Sequence, residues 1–142
     1  MKDLSNRFMR LAVFWFVAGL ALGVGMAVSH HHGMTAAHAH INLLGWVSMA
    51  LFAAFYRLWP AAAHSRLARA HFWLYVPSHF VMMAGLSVLL NVRVPGVEAV
   101  VGVAIVGVVL GAVCFAGVVW KHTAPGRRAA PAMGSEQGLP IG

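Results

Sequence analysis

At 142 residues the chain has the length of one domain. Hydrophobic residues make up 61 % and charged residues 9 %, and the mean hydropathy is +0.78. A soluble domain carries about 25 % charged residues, so a soluble enzyme and a disordered chain are both excluded. The net charge of +7 comes from ten basic residues against three acidic ones, too dispersed for the dense stripe of a nucleic-acid binder. The single cysteine, Cys114, excludes an intrachain disulfide and a cysteine-built metal cage.

The apolar runs predict an all-α integral membrane protein with four transmembrane helices, at about 8–29, 38–60, 69–91 and 96–120, each close to the roughly 20 residues that cross a bilayer. No period-two alternation points to barrel strands. The first run, LAVFWFVAGLALGVGMAV, follows Lys2, Arg7 and Arg10. It is long for a signal-peptide core, and Val28-Ser29-His30 is a poor cleavage site, so it is read as a helix. A histidine-rich connector, Ser29 to His38, leads into the second run, INLLGWVSMALFAAFYRLW. The third contains Pro77, which is expected to bend it one turn before its midpoint. The fourth is nearly all Val, Ala and Gly, and its Gly107 and Gly111 have the GxxxG spacing that permits close approach, within the chain or between subunits. Residues 1–122 form the four-helix domain, and 123–142, rich in Pro, Gly and Ala, read as a disordered cytoplasmic tail. Lys2, Arg7, Arg10, Arg57, Arg66, Arg69, Lys121, Arg127 and Arg128 fall on one side and only Arg93 on the other. Both termini are therefore expected in the cytoplasm, with the chain a multi-pass protein of a bacterial inner membrane.

Nine histidines in a chain with three acids are the main chemical signal. His64, His71 and His122 lie near span ends and read as interfacial polar residues, as Tyr56 and Trp59 read as interfacial anchors. His30, His31 and His32 could hold copper or zinc loosely, but a solvated loop accounts for them at least as well. His38 and His40 open the second span. Residues two apart on a helix diverge by about 200°, so they cannot clamp one metal, and each faces a different neighbour. His79 lies mid-span, where an ionisable side chain is costly and a functional candidate by default. Neutral imidazole suits haem iron, copper and zinc alike. His79 is twelve residues from the outer end of its span, about 18 Å along a helix. An iron shared by His40 and His79 of one chain would need that span shifted outward.

The stretch His38–Pro60, HAHINLLGWVSMALFAAFYRLWP, resembles the second transmembrane helix of subunit I in nitric oxide reductases of the haem-copper oxidase superfamily. The match runs through His40, Asn42, Leu43, Leu44, Trp46, Phe52, Tyr56, Leu58 and Pro60. It implies that His40 is an axial ligand of a low-spin haem b, with Asn42 and Trp46 in the same site. His38, His40 and Gly45 are also similar to the superfamily helix whose two histidines serve two haems. The chain departs from the family in lacking a His-Pro-Glu or His-Pro-Asp copper motif and a mid-membrane carboxylate, since Glu98 sits at the start of span four. Oxygen reduction with proton pumping does not follow. One four-helix chain corresponds to one arc of the twelve-helix subunit I. The resemblance therefore implies a homotrimer in which His38 of one copy and His40 of the next meet across an interface. The expected function is redox or electron transfer through His-ligated haem b, with copper as a further cofactor to consider, in a lipid bilayer, with an electron donor or acceptor and no nucleic acid. A different class stays open: an outward copper-binding or transport protein using His30, His31, His32, His38 and His40, helped by Met26 and Met34. So does a structural accessory subunit with incidental histidines.

Overall fold

The computed structural model describes residues 4–92 and 94–124. The tail expectation for 125–142, and the charges of Lys2, Arg93, Arg127 and Arg128, lie outside the described residues. Helix α1 spans Leu4–Ser29. The second span, Thr35–Leu58, is built of α2 (Thr35–His40), a π-helical stretch (Ile41–Val47) and α3 (Ser48–Leu58). A 3₁₀ turn, Pro60–His64, leads to α4 (Arg66–Asn91), and α5 spans Val97–Thr123. All four spans are long and apolar enough to cross a membrane, which makes this a multi-pass membrane protein.

The second and third spans begin earlier than their apolar runs, at Thr35 and Arg66, because polar residues start them. Ser65 Oγ accepts a hydrogen bond from the Ala68 amide at 3.0 Å and caps α4. Pro60 opens the preceding turn, where its missing N–H is of no consequence. α4 runs through Pro77 without a break. At the other end of the molecule α1 stops at His30, whose φ of 53° lies in the left-handed region that histidine enters more readily than most residues.

Small residues make two tight pairs. In the first, α1 lies against the second span: a Cβ on Gly45 would come within 2.7 Å of the Trp15 ring, and one on Gly19 within 2.7 Å of Asn42 Oδ1. Ser5 Oγ donates to the Ala53 carbonyl at 2.8 Å and fastens the other end of this pair. In the second pair α5 lies against α4. A Cβ on Gly111 would stand 2.8 Å from the Tyr75 amide nitrogen, and Gly107 faces Ser78. The GxxxG motif is thus spent within the chain, not on a subunit contact. Here close packing and dispersion take the place of a hydrophobic driving force, because lipid tails are as apolar as the core.

The two pairs meet across a broader seam filled with rings. Phe8 of α1 packs on Phe52, Tyr56, His71 and Phe72, and Trp15 packs on His79 and Phe80. Phe52 also meets Tyr75 edge-on and Phe115 at a tilt. Asn91 reaches Met34 Sδ at 3.0 Å and links the seam's far end. One end of the bundle carries Arg7, Arg10, Arg57, Arg66, Arg69 and Lys121, and the other carries the histidine run. They are called the basic and the histidine end below.

Candidate functional site

The second span begins at Thr35, so His38 and His40 sit within the helix and do not open it. Their rings diverge as their spacing requires. His38 is half-buried and turned toward α1: its Cε1 would lie 3.0 Å from a Cβ on Gly23, and its Nε2 lies 3.3 Å from the Asn42 amide nitrogen. Asn42 also donates to the His38 carbonyl at 2.9 Å, and its oxygen faces Gly19. Asn42 therefore acts as a strut between α1 and the second span. His40 is exposed, and its Nδ1 lies 2.8 Å from the Ala36 carbonyl, where a carbonyl can only accept. That bond places the proton on Nδ1 and leaves the Nε2 lone pair free. Trp46 is half-buried and packs on Phe16 at 4.9 Å.

The π-helical stretch follows directly. The Ser48 amide and hydroxyl both donate to the Leu43 carbonyl five residues back, the latter at 2.8 Å. The next carbonyl, that of Leu44, accepts from the Tyr75 hydroxyl of α4 at 3.1 Å. A widened turn exposes backbone oxygen to a side chain in just this way, and such turns recur at functional sites.

His79 is 0 % exposed, and neither ring nitrogen makes a well-formed hydrogen bond, although the His40 backbone lies close to the ring. Trp15 stands edge-on to it at 4.7 Å, Tyr75 lies parallel at 6.2 Å, and Gly45 makes room for its Cε1. Trp15 Nε1 is likewise buried and without a hydrogen bond. Gly45 is five residues beyond His40, about 7.5 Å along the span. The His79 ring thus sits between the Gly45 turn and the His40 backbone.

His71 is a correction. It is not an interfacial residue but 0 % exposed, because α4 starts at Arg66 and carries it inside. Its Nδ1 hydrogen-bonds the Tyr56 hydroxyl at 3.0 Å, and its Nε2 is buried without a partner. Phe8, Phe52 and Phe115 enclose it, with centroids 4.5 to 5.1 Å away. Tyr56 is a second correction: it is a core residue and not an interfacial anchor, since it shares the inward face with Met49, Phe52 and Ala53. Trp59 does lie at the margin, 40 % exposed and stacked on Phe55.

His71, Tyr75 and His79 recur every four residues and so share one face of α4. That spacing was the signal by which His71 could have been grouped with His79. His30, His31 and His32 are exposed, as is His64. Among the described residues no three His, Cys, Asp or Glu side chains gather where one metal ion could be held. No protein-family model matches the chain, and neither a curated protein nor a solved structure gives a match.

Proposed function

We propose that the chain is a membrane haem b-binding protein whose His40 is an axial ligand and whose role is redox or electron transfer. The supporting observation is the 2.8 Å contact between His40 Nδ1 and the Ala36 carbonyl. A ligating imidazole usually donates its second nitrogen to a carbonyl or carboxylate, which fixes the ring and raises its basicity. His40 has this arrangement, with Nε2 available on an exposed turn. Bound there, the group supplies a one-electron centre, and His40 holds and orients it.

The second ligand comes from another copy. His38 is engaged with Asn42 and turned to α1, and His79 is fully enclosed by Trp15, Tyr75 and the His40 backbone, so neither ring stands free beside the exposed His40 ring. A closed homo-oligomer, with a trimer favoured by the motif's resemblance, brings exposed His40 turns of neighbouring copies together. In this assembly His38 is a supporting residue, a change from the pairing that the resemblance implies. The basic residues at one end support an orientation with both termini in the cytoplasm, and a bacterial inner membrane is the setting this reading proposes.

Purified protein from haem-replete cells should be red, with a Soret band and sharp α and β bands on reduction. His40→Ala should lose them. A pale wild-type preparation, even after haem addition, overturns the reading. Native mass measurement in detergent tests the assembly: a haem-bearing monomer refutes the shared site.

A further inference from the structure

The seam between the helix pairs holds a second set of groups that haem ligation at His40 does not use. At the basic end a pocket of about 100 Å³ is lined by Ser5, Asn6, Tyr56, Arg57 and His64, a mixed polar and apolar surface open to water. Tyr56 closes its inner side, and the Tyr56 hydroxyl meets His71 Nδ1 at 3.0 Å. One turn further along α4 is Tyr75, its ring 5.7 Å from that of His71. Another turn on is His79, parallel to Tyr75 at 6.2 Å. One to two turns beyond lies the exposed turn of His40 on the second span.

Three imidazole nitrogens on this line, His71 Nε2 and both of His79, are buried without a well-formed hydrogen bond, with the His40 backbone near the last. Leaving a buried polar group unmade costs about 1–3 kcal/mol. An apolar side chain at 79 would avoid that cost, one at 71 would shift it to the Tyr56 hydroxyl, and both histidines lie on one face of one helix. Ionisable side chains at membrane depth mark proton or ion routes by default. Internal water satisfies such nitrogens where several polar groups converge, and the two steps that run ring to ring would need it.

We propose that this chain conducts protons along the seam, from the pocket beside Tyr56 through His71, Tyr75 and His79 to the turn of His40. The Tyr56 oxygen takes a proton from pocket water while its own passes to His71 Nδ1. His71 then releases the proton on Nε2. Water and the Tyr75 hydroxyl carry it to one nitrogen of His79, and the other nitrogen gives it up toward the histidine end. One proton is taken in and one is released, and no electron moves. The route passes through no metal and stands apart from the haem reading.

The test uses full-length protein in liposomes with a trapped pH-sensitive dye, under a potassium diffusion potential. Wild-type vesicles should acidify several-fold faster than protein-free ones. Tyr56→Phe keeps the ring packing and removes one oxygen. It should lower the rate by about tenfold or more, the minimum expected for loss of a positioned proton-transfer group. His71→Gln and His79→Gln should do the same, while Val113→Ala, on the lipid-facing side of α5, should not. Each variant is compared at wild-type helicity and elution volume, and Tyr56→Phe decides if the histidine variants unfold. Wild-type flux equal to that of empty vesicles overturns the proposal, as does undiminished flux in Tyr56→Phe. Flux in a colourless preparation supports it while refuting the haem reading, and a red preparation without flux does the reverse.

Discussion

His71 and His79 stand eight residues apart on one face of α4, equally cut off from solvent, and their surroundings differ in kind. His71 has a hydroxyl partner and three phenyl rings around it. His79 has Trp15, Tyr75, the space left by Gly45 and the His40 backbone near its ring, but no well-formed hydrogen bond on either nitrogen. The first site has one nitrogen held by a strong partner and one, Nε2, left bare in dense packing. The second has neither nitrogen firmly held. Equal burial therefore hides unequal polar satisfaction, and the state of the nitrogens is what differs between the two.

The largest effect expected is on the frame that holds both. A Cβ on Gly111 would stand 2.8 to 2.9 Å from the Tyr75 backbone, and backbone cannot step aside as a flexible side chain can. Gly111→Leu should force α5 off α4 and costs about 3 kcal/mol or more, at or above the upper end for overpacked sites. Thermal unfolding in detergent should show a large fall in midpoint or no folded protein. Gly102→Leu is the control, since nothing lies within 4 Å of a Cβ there, and it should be tolerated.

The comparison itself is tested by one substitution made twice. His71→Leu leaves the Tyr56 hydroxyl buried and without its partner, for a loss of about 1–3 kcal/mol. His79→Leu removes two nitrogens that make no well-formed hydrogen bond and loosens at most a weak contact with the His40 backbone, so it should be neutral within about 1 kcal/mol, or stabilising. Chemical unfolding of the two variants in one detergent measures the difference. Equal destabilisation would mean that His79 is bonded as firmly as His71, and the contrast would fail.

How much of this was legible is best seen residue by residue. Four spans were readable because about 20 apolar residues in a row have few other uses. The depth of His79 was readable from its place in the third run. His71 was not, because it follows Arg66 and Arg69 and looks interfacial until Ser65 is seen to start the helix ahead of them. Tyr56 misleads for the same reason, standing beside Arg57. Its inward face could have been inferred from Met49, Phe52 and Ala53, but helical periodicity fades in a bilayer, where the outward side is as apolar as the core. Leu51 and Val103 are exposed, and nothing in their chemistry distinguishes them from buried neighbours. The π-helical turn and the resulting Leu44–Tyr75 bond have no sequence signal that we recognise.

A smaller effect attaches to that bond. Tyr75→Phe keeps the ring stacked on His79 and edge-on to His71, and removes the donor to the Leu44 carbonyl. The expected loss is about 1 kcal/mol, the usual net value of one hydrogen bond. Amide exchange at Ser48 and Met49 should quicken along with it. Loss of stability without faster exchange would separate the tyrosine from the widened turn.

The smallest effect on stability, and the largest on colour, belongs to His40→Ala. The ring is exposed and hydrogen-bonds to the Ala36 carbonyl of its own helix. An exposed substitution of this kind changes stability by about 0.5 kcal/mol or less, and alanine favours the helix. Unfolding midpoint and helicity should therefore stay at wild-type values while the reduced α and β bands vanish. His79→Leu should keep those bands. The reverse outcome, bands lost with His79 and retained without His40, would move the ligand from the exposed turn to the buried ring. The unmet nitrogens of His79 would then be the ligand's own signature, and no proton route would be needed to account for them.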